Sequence, residues 1–297
     1  MSAHAEFLRA ASRDIELATR LKDDYRTASL SEQDRLMLEF VEKLTLCPWL
    51  LARTDVTVLQ NAGFPDATIL HIVLGSAHFN YLNRMADGIG IRFEYQTEVP
   101  ERNSPSSEPE STRVVMTDSD LPESSPGGLA WITFPESNEP ITEAEGPRNL
   151  YRVMSPNPEA CDLAREWRNY QMKGTTRLDA RLRAQLGLYI SGMNHCEYSA
   201  YWLRKSFLSL GESRSLCERL ASGKLPQDLP TREQLLFTHA RRLTHEPATT
   251  TEQHIQQLRQ AGIDDQGILQ LTMLCSYLSF ENRVALALGV PIESETL

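Results

Sequence analysis

The residues of this chain whose types and spacing could do chemistry fall in one stretch, Met193-Asn194-His195-Cys196-Glu197-Tyr198-Ser199-Ala200-Tyr201-Trp202-Leu203. Asn194 and Glu197 stand at the spacing of a capping box, which marks a helix start. With Asn194 as the cap, Cys196 falls in the first helical turn. Free backbone N–H groups and the helix dipole there favour a thiolate. His195 can add positive charge or accept the thiol proton. Glu197 opposes both by favouring the neutral thiol. The local physics permits a modestly activated cysteine and fits a buried core thiol equally well.

Several elements must position this segment. Thr176 with Asp179 can cap a helix running through Leu182, Leu186, Leu188, Tyr189 and Ile190. Arg148–Met172 reads as a helical lead-in with Ala160, Leu163, Ala164 and Trp167 on one face. The larger organiser is a repeat. Leu30–Glu94 aligns without a gap on Leu229–Glu293, with identical pairs such as Leu36/Leu235, Thr45/Thr244, Pro48/Pro247, Gly63/Gly262, Asp66/Asp265, Asn83/Asn282, Arg84/Arg283 and Gly90/Gly289. The period is far too long for a solenoid, so it reads as a domain duplication.

Each copy is expected to be helical. Ser31 with Asp34, and Thr249 with Glu252, have N-cap spacing. Gly63 and Gly262 sit where a helix end needs a left-handed residue. Pro65-Asp66 and Asp264-Asp265 then open a helix that is apolar on most faces, and such a helix belongs at the centre of a core or a subunit contact. The expected fold is all-α: a helical unit over 1–95, an acidic linker over 96–147, and a second unit over 148–297.

The linker holds eleven acids against Arg102 and Arg113, which accounts for most of the net charge of −10. Its Pro, Ser and Glu content cannot bury enough apolar surface to fold alone. One island, Leu129-Ala130-Trp131-Ile132-Thr133-Phe134, could dock on a globular neighbour. No basic patch stands out, which argues against nucleic acid and anionic membrane as partners. Five cysteines lie far apart, without metal-ligand or disulfide-framework spacing, so free thiols in a reducing, cytoplasmic compartment are expected. The start has acids and no apolar stretch of the secretory kind.

These features resemble the carboxymuconolactone decarboxylase/alkylhydroperoxidase D family, in its tandem peroxidase-related branch. The resemblance covers Met1–Glu94 and Leu150–Glu293, and the run Phe79–Gly88 is typical of that branch. The family's motif is an upstream Glu, then Cys-x-x-Cys, then three residues, then His. One cysteine attacks a peroxide, the other resolves the sulfenic acid, and Glu and His relay protons. Carried onto this chain, Cys196 matches the first cysteine. Ser199 stands at the second, Leu203 at the His and Ala184 at the Glu. In the first copy His4 matches the motif His, and the positions of the cysteine pair would fall before Met1. The candidate catalytic residues are therefore Cys196, His195, Ser199 and His4.

The resemblance implies a thiol oxidoreductase acting on a peroxide, with an external thiol as reductant, in a homo-oligomer. Cys196 would form the sulfenic acid, His195 would assist, and Ser199 would hydrogen-bond the peroxide. A non-catalytic scaffold or binding module is the alternative, given the missing Cys, His and Glu. Proton transfer on a small organic acid, as in the decarboxylase branch, is a third. No cofactor or metal is implied: His71, His239, His245 and His254 lack ligand spacing. His78 reads as a core histidine, Cys47 and Cys275 as buried thiols, and Cys217 as an exposed one. The paired Asn-Arg positions read as buried ties between helices.

Overall fold

The computed structural model describes residues 2–91, 130–132, 147–174, 176–226 and 229–293. These residues form helices and no strand, so the fold is all-α. In chain order the helices are α1 (Ser2–Ser12), α2 (Ile15–Asp24), α3 (Glu32–Leu46), α4 (Arg53–Asn61), α5 (Asp66–Ile89), α6 (Arg148–Met154), α7 (Pro158–Lys173), α8 (Ala180–Met193), α9 (Glu197–Ser209), α10 (Arg214–Ala221), α11 (Thr231–His245), α12 (Glu252–Gln260) and α13 (Asp265–Ala287). The series α3, a tight turn at Pro48–Leu50, α4 and α5 recurs 199 residues later as α11, a turn at Pro247–Thr249, α12 and α13.

The start signals act as the local chemistry requires. Ser31 Oγ accepts the Asp34 N–H at 3.0 Å and caps α3. Gly63 and Gly262 adopt φ of +93° and +80° after α4 and α12. Three boundaries differ from expectation. Pro247 opens a separate turn that absorbs Thr249, so α12 is capped by Thr251, whose N–H donates to His254 Nδ1 at 3.1 Å. Asp179 rather than Thr176 caps α8, accepting the Leu182 N–H at 2.7 Å. The lead-in is two helices, because Asn157 accepts the Ala160 N–H and Pro158 starts α7 afresh. That break leaves Leu163 exposed, while Cys161 and Ala164 face inward.

α5 and α13 pack along each other at the centre, each roughly 35 Å long at the usual helical rise. Every residue of α13 from Leu274 to Ala285 is buried, since α5, α7, α8, α9 and α11 all lie against it. A Cβ on Gly88 would sit 2.5 Å from Thr272 Cγ2, so only glycine allows the two helices this approach. The repeated arginines clasp the halves together. Arg84 Nη2 donates to the Thr244 carbonyl at 3.0 Å, and Arg283 Nη2 donates to the Thr45 carbonyl at 2.9 Å. Each arginine thus reaches the same threonine in the other copy. The paired asparagines diverge: Asn282 is buried and Asn83 is exposed.

The segment 96–147 lies outside the described residues apart from 130–132 and Pro147. Ala130 and Ile132 are buried, and the Trp131 N–H donates to the Leu288 carbonyl at 2.8 Å. The Trp131 ring covers Gly289, at φ +58°, so tightly that a Cβ there would overlap it. These three residues of the apolar island are docked on the end of α13.

His78 is exposed and stacks beside Tyr81, because no helix among the described residues lies over its face of α5. Cys217 is buried with Leu220 and Ala221 on the inner face of α10, not exposed. No helix among the described residues is long and apolar enough to cross a membrane. The buried histidine is His239, 2% exposed, with neither ring nitrogen hydrogen-bonded. Burial, then Arg242 and His254, push its pKa down from 6.5 to about 4. The unfolded chain therefore binds more protons between those values, and stability falls as pH drops below 6.5. The loss is about 1.4 kcal/mol per pH unit from this group. His239→Leu is expected to flatten that acid limb, measured as urea midpoints from pH 7 to 4.

Candidate functional site

Cys196 lies where α8 hands over to α9. α8 closes on Asn194, whose N–H donates to the Ile190 carbonyl at 3.0 Å. His195 then takes a left-handed φ of +50°. This reverses the chain, and the Cys196 N–H donates to the Ser191 carbonyl at 2.9 Å. Gly192 is needed here, because a Cβ would meet the Ala221 carbonyl at 2.5 Å where the end of α10 abuts. Cys196 itself is the N-cap of α9, and Asn194 belongs to the end of α8. The cysteine is therefore one step before the first turn in which the capping-box spacing would put it.

The thiol is 1% exposed. Its Sγ–H donates to Ser199 Oγ at 3.5 Å and lies 3.9 Å from the Asn282 carbonyl. Burial pushes its pKa up from 9.0 to about 12. The Ser199 hydroxyl and N–H pull it down, and Glu281 and Glu197 add to the rise. The helix-terminus effect expected from the sequence is thus present through Ser199, but desolvation outweighs it.

Ser199 carries the contact onward, its hydroxyl donating to Glu281 Oε1 at 3.4 Å. The Tyr277 hydroxyl donates to Glu281 Oε2 at 2.5 Å. Arg168 Nη1 forms an ion pair with both carboxylate oxygens, and the pair is nearly sealed, with side chains 12% and 2% exposed. Burial draws the Arg168 pKa down, but Glu281 more than offsets this and the guanidinium stays charged. Burial and then Glu281 hold the Tyr277 hydroxyl protonated well above its usual range. Nearby, the Glu293 carboxylate accepts from the Asn149 N–H (2.8 Å), the Tyr198 hydroxyl (2.8 Å) and Trp202 Nε1 (2.9 Å). That contact ties the residues after α13 across α6 and α9.

Cys196 and Ser199 are thus brought together, as the motif spacing requires. His195 is exposed, and its ring lies against Trp49 at 5.7 Å. His4 is on α1, exposed, with its ring edge-on to Phe79 at 4.6 Å. Leu203 and Ala184, at the motif's His and Glu positions, are buried apolar residues. Sequence reasoning missed Glu281, Arg168 and Tyr277. The available signal was a carboxylate in the middle of α13, a helix too apolar to carry one unpaired. Its partner sits 113 residues away in sequence, and spacing alone does not connect the two.

Between pH 9 and 12 the folded state holds the Cys196 proton that the unfolded chain has released. Stability from this group is complete below pH 9 and falls as pH rises, by about 1.4 kcal/mol per pH unit. Cys196→Ser is expected to flatten the alkaline limb of guanidinium melts by that amount.

Among the described residues no group of three or more His, Cys, Asp or Glu is placed to hold a metal ion. No family model matches the chain, and no curated protein matches it. Among solved structures the chain is similar to an uncharacterized peroxidase-related protein from Silicibacter sp. TM1040, with 22% identity and a TM-score of 0.47, over 49% of this chain and 76% of that one.

Proposed function

We propose that this chain is a peroxidase-related, alkylhydroperoxidase D-like helical protein whose second-copy motif is a structural tie, and that the duplicated bundle serves as a scaffold or binding module. The state of Cys196 carries this reading. Peroxide attack needs a thiolate that peroxide can reach. This thiol is 1% exposed, and burial pushes its pKa up to about 12. The charges that act on it, Glu281 and Glu197, are both negative. Ser199 replaces the second sulfur and is spent on Glu281, which Arg168 and Tyr277 already engage. In this reading the halves form one body through α5 and α13, and chains associate as homo-oligomers in a reducing compartment.

One observation favours a second reading, a thiol oxidoreductase. The Cys196–Ser199–Glu281 chain, at 3.5 and 3.4 Å, links the thiol to a carboxylate through a hydroxyl. Along it the thiol proton could pass to Glu281 as sulfur attacks the terminal peroxide oxygen and the O–O bond breaks, and the same proton would then pass to the departing alkoxide, giving a sulfenic acid and an alcohol. An external thiol would then displace water to form a mixed disulfide, and a second thiol would release Cys196.

Mixing the full chain with an organic hydroperoxide and a sulfenate trap separates the two. The expected result is no label on Cys196 by mass spectrometry and no thiol-dependent turnover. Turnover that Cys196→Ser abolishes would overturn the scaffold reading and establish the second.

A further inference from the structure

Arg84, Arg168 and Arg283 are all largely removed from solvent, and of these three only Arg168 meets a carboxylate. Arg168 pairs with Glu281. Arg84 and Arg283, 5% and 2% exposed, form no ion pair among the described residues. Arg84 donates to the Asn80 carbonyl, Asn80 Oδ1 and the Thr244 carbonyl, and Arg283 donates to the carbonyls of Ser279 and Thr45. Those neutral acceptors leave the Nε of both arginines buried with no acceptor. Taking two guanidiniums out of water without an ion-pair partner is costly for a core. The two charges also bear on each other: burial and then Arg84 draw the Arg283 pKa down. Asp87 partly offsets the effect of burial on Arg84.

The same face carries further unused donors. Ser276, Ser279 and Arg283 follow one another at spacings of three and four residues, a single stripe of α13. Both serine hydroxyls are fully buried, and neither has a partner, not even the carbonyl one turn back that Thr272 uses. The matching stripe of α5 is Ala77, Asn80 and Arg84. There Asn80 Nδ2 is satisfied by Thr45 Oγ1 and the Ser76 carbonyl, both at 3.0 Å. The unpartnered groups thus gather on one stripe of α13, which also carries Arg283, one of the two arginines without an ion-pair partner. A buried, cationic cluster whose hydroxyl and guanidinium groups can all donate is what an oxyanion requires, and guanidinium Nε suits its geometry.

We propose that the α5–α13 contact is a binding site for a small oxyanion, held by Arg84, Arg283, Ser276 and Ser279. The anion neutralises the two guanidiniums and accepts the four unused donors. It acts as a clamp between the halves, independent of any chemistry at Cys196.

Titration calorimetry of the full chain with inorganic phosphate, against chloride at matched ionic strength, tests this. The expected result is a saturable heat with a Kd at or below about 1 mM, and a melting temperature that rises with phosphate over the same range. Ser276→Ala/Ser279→Ala changes little volume and is expected to weaken phosphate at least tenfold while keeping the helical circular dichroism. Arg84→Lys keeps the charge, loses Nε, and is expected to weaken it similarly. Absence of a saturable heat in the folded wild-type chain would overturn the proposal. So would an equal phosphate response in the wild type and the serine variant, since general stabilisation by excluded salts acts without a site.

Discussion

Glu281→Ala is expected to destabilise the fold by about 3–5 kcal/mol, because it strands the Arg168 charge inside the protein. For a chain of this size that lowers the melting temperature by roughly 6–20 °C. The effect is large because one carboxylate serves three donors. Arg168 is only 12% exposed and cannot rehydrate without moving α7, and Tyr277 and Ser199 lose their acceptor as well. The comparison that isolates the cause is the double variant Arg168→Met/Glu281→Leu. It removes both charges and fills the space, so it should be more stable than either single replacement. If the double variant loses the sum of the single losses, the pair is not coupled, and this account of the site is wrong.

The second large effect concerns Cys196. Its pKa of about 12, against 9.0 for an ordinary thiol, leaves about a thousandth of the usual thiolate at neutral pH. Alkylation by iodoacetamide at pH 7.5 is expected to be at least about 1,000-fold slower in the folded chain than in urea. Exclusion of the reagent adds to the pKa effect. Cys275, fully buried and shifted upward by burial, serves as an internal control for slow reaction. Half-buried Cys47 should react faster than either. Peptide mapping over time gives the three rates separately. A Cys196 rate near that of the unfolded chain would show a charged, reachable sulfur and revive the oxidoreductase reading.

Much of the architecture was legible in the chain itself. The repeat between Leu30–Glu94 and Leu229–Glu293 reappears as helices with matching starts, because caps and left-handed glycines are read locally. The apolar run beginning at Leu129 was a recognisable docking segment for the same kind of reason, and Ala130–Ile132 do dock. Errors arose where a neighbour overrode the local signal. Cys217 turned inward with α10, and His78 stayed outside because no helix among the described residues covers its face of α5. Cys196 became the cap rather than the first turn, because the left-handed His195 consumed the residue between the helices.

The sequence by itself determined the helices, their repetition and the proximity of Cys196 to Ser199, all consequences of backbone preference and short-range periodicity. Tertiary structure decided the charge state of the sulfur, since desolvation depends on what α13 and α9 exclude from it. It also decided which buried arginine meets a carboxylate, because Arg168 finds Glu281 while Arg84 and Arg283 find only neutral acceptors. Ionisation energies in a core are set by groups distant in sequence, and no spacing rule along the chain reports them.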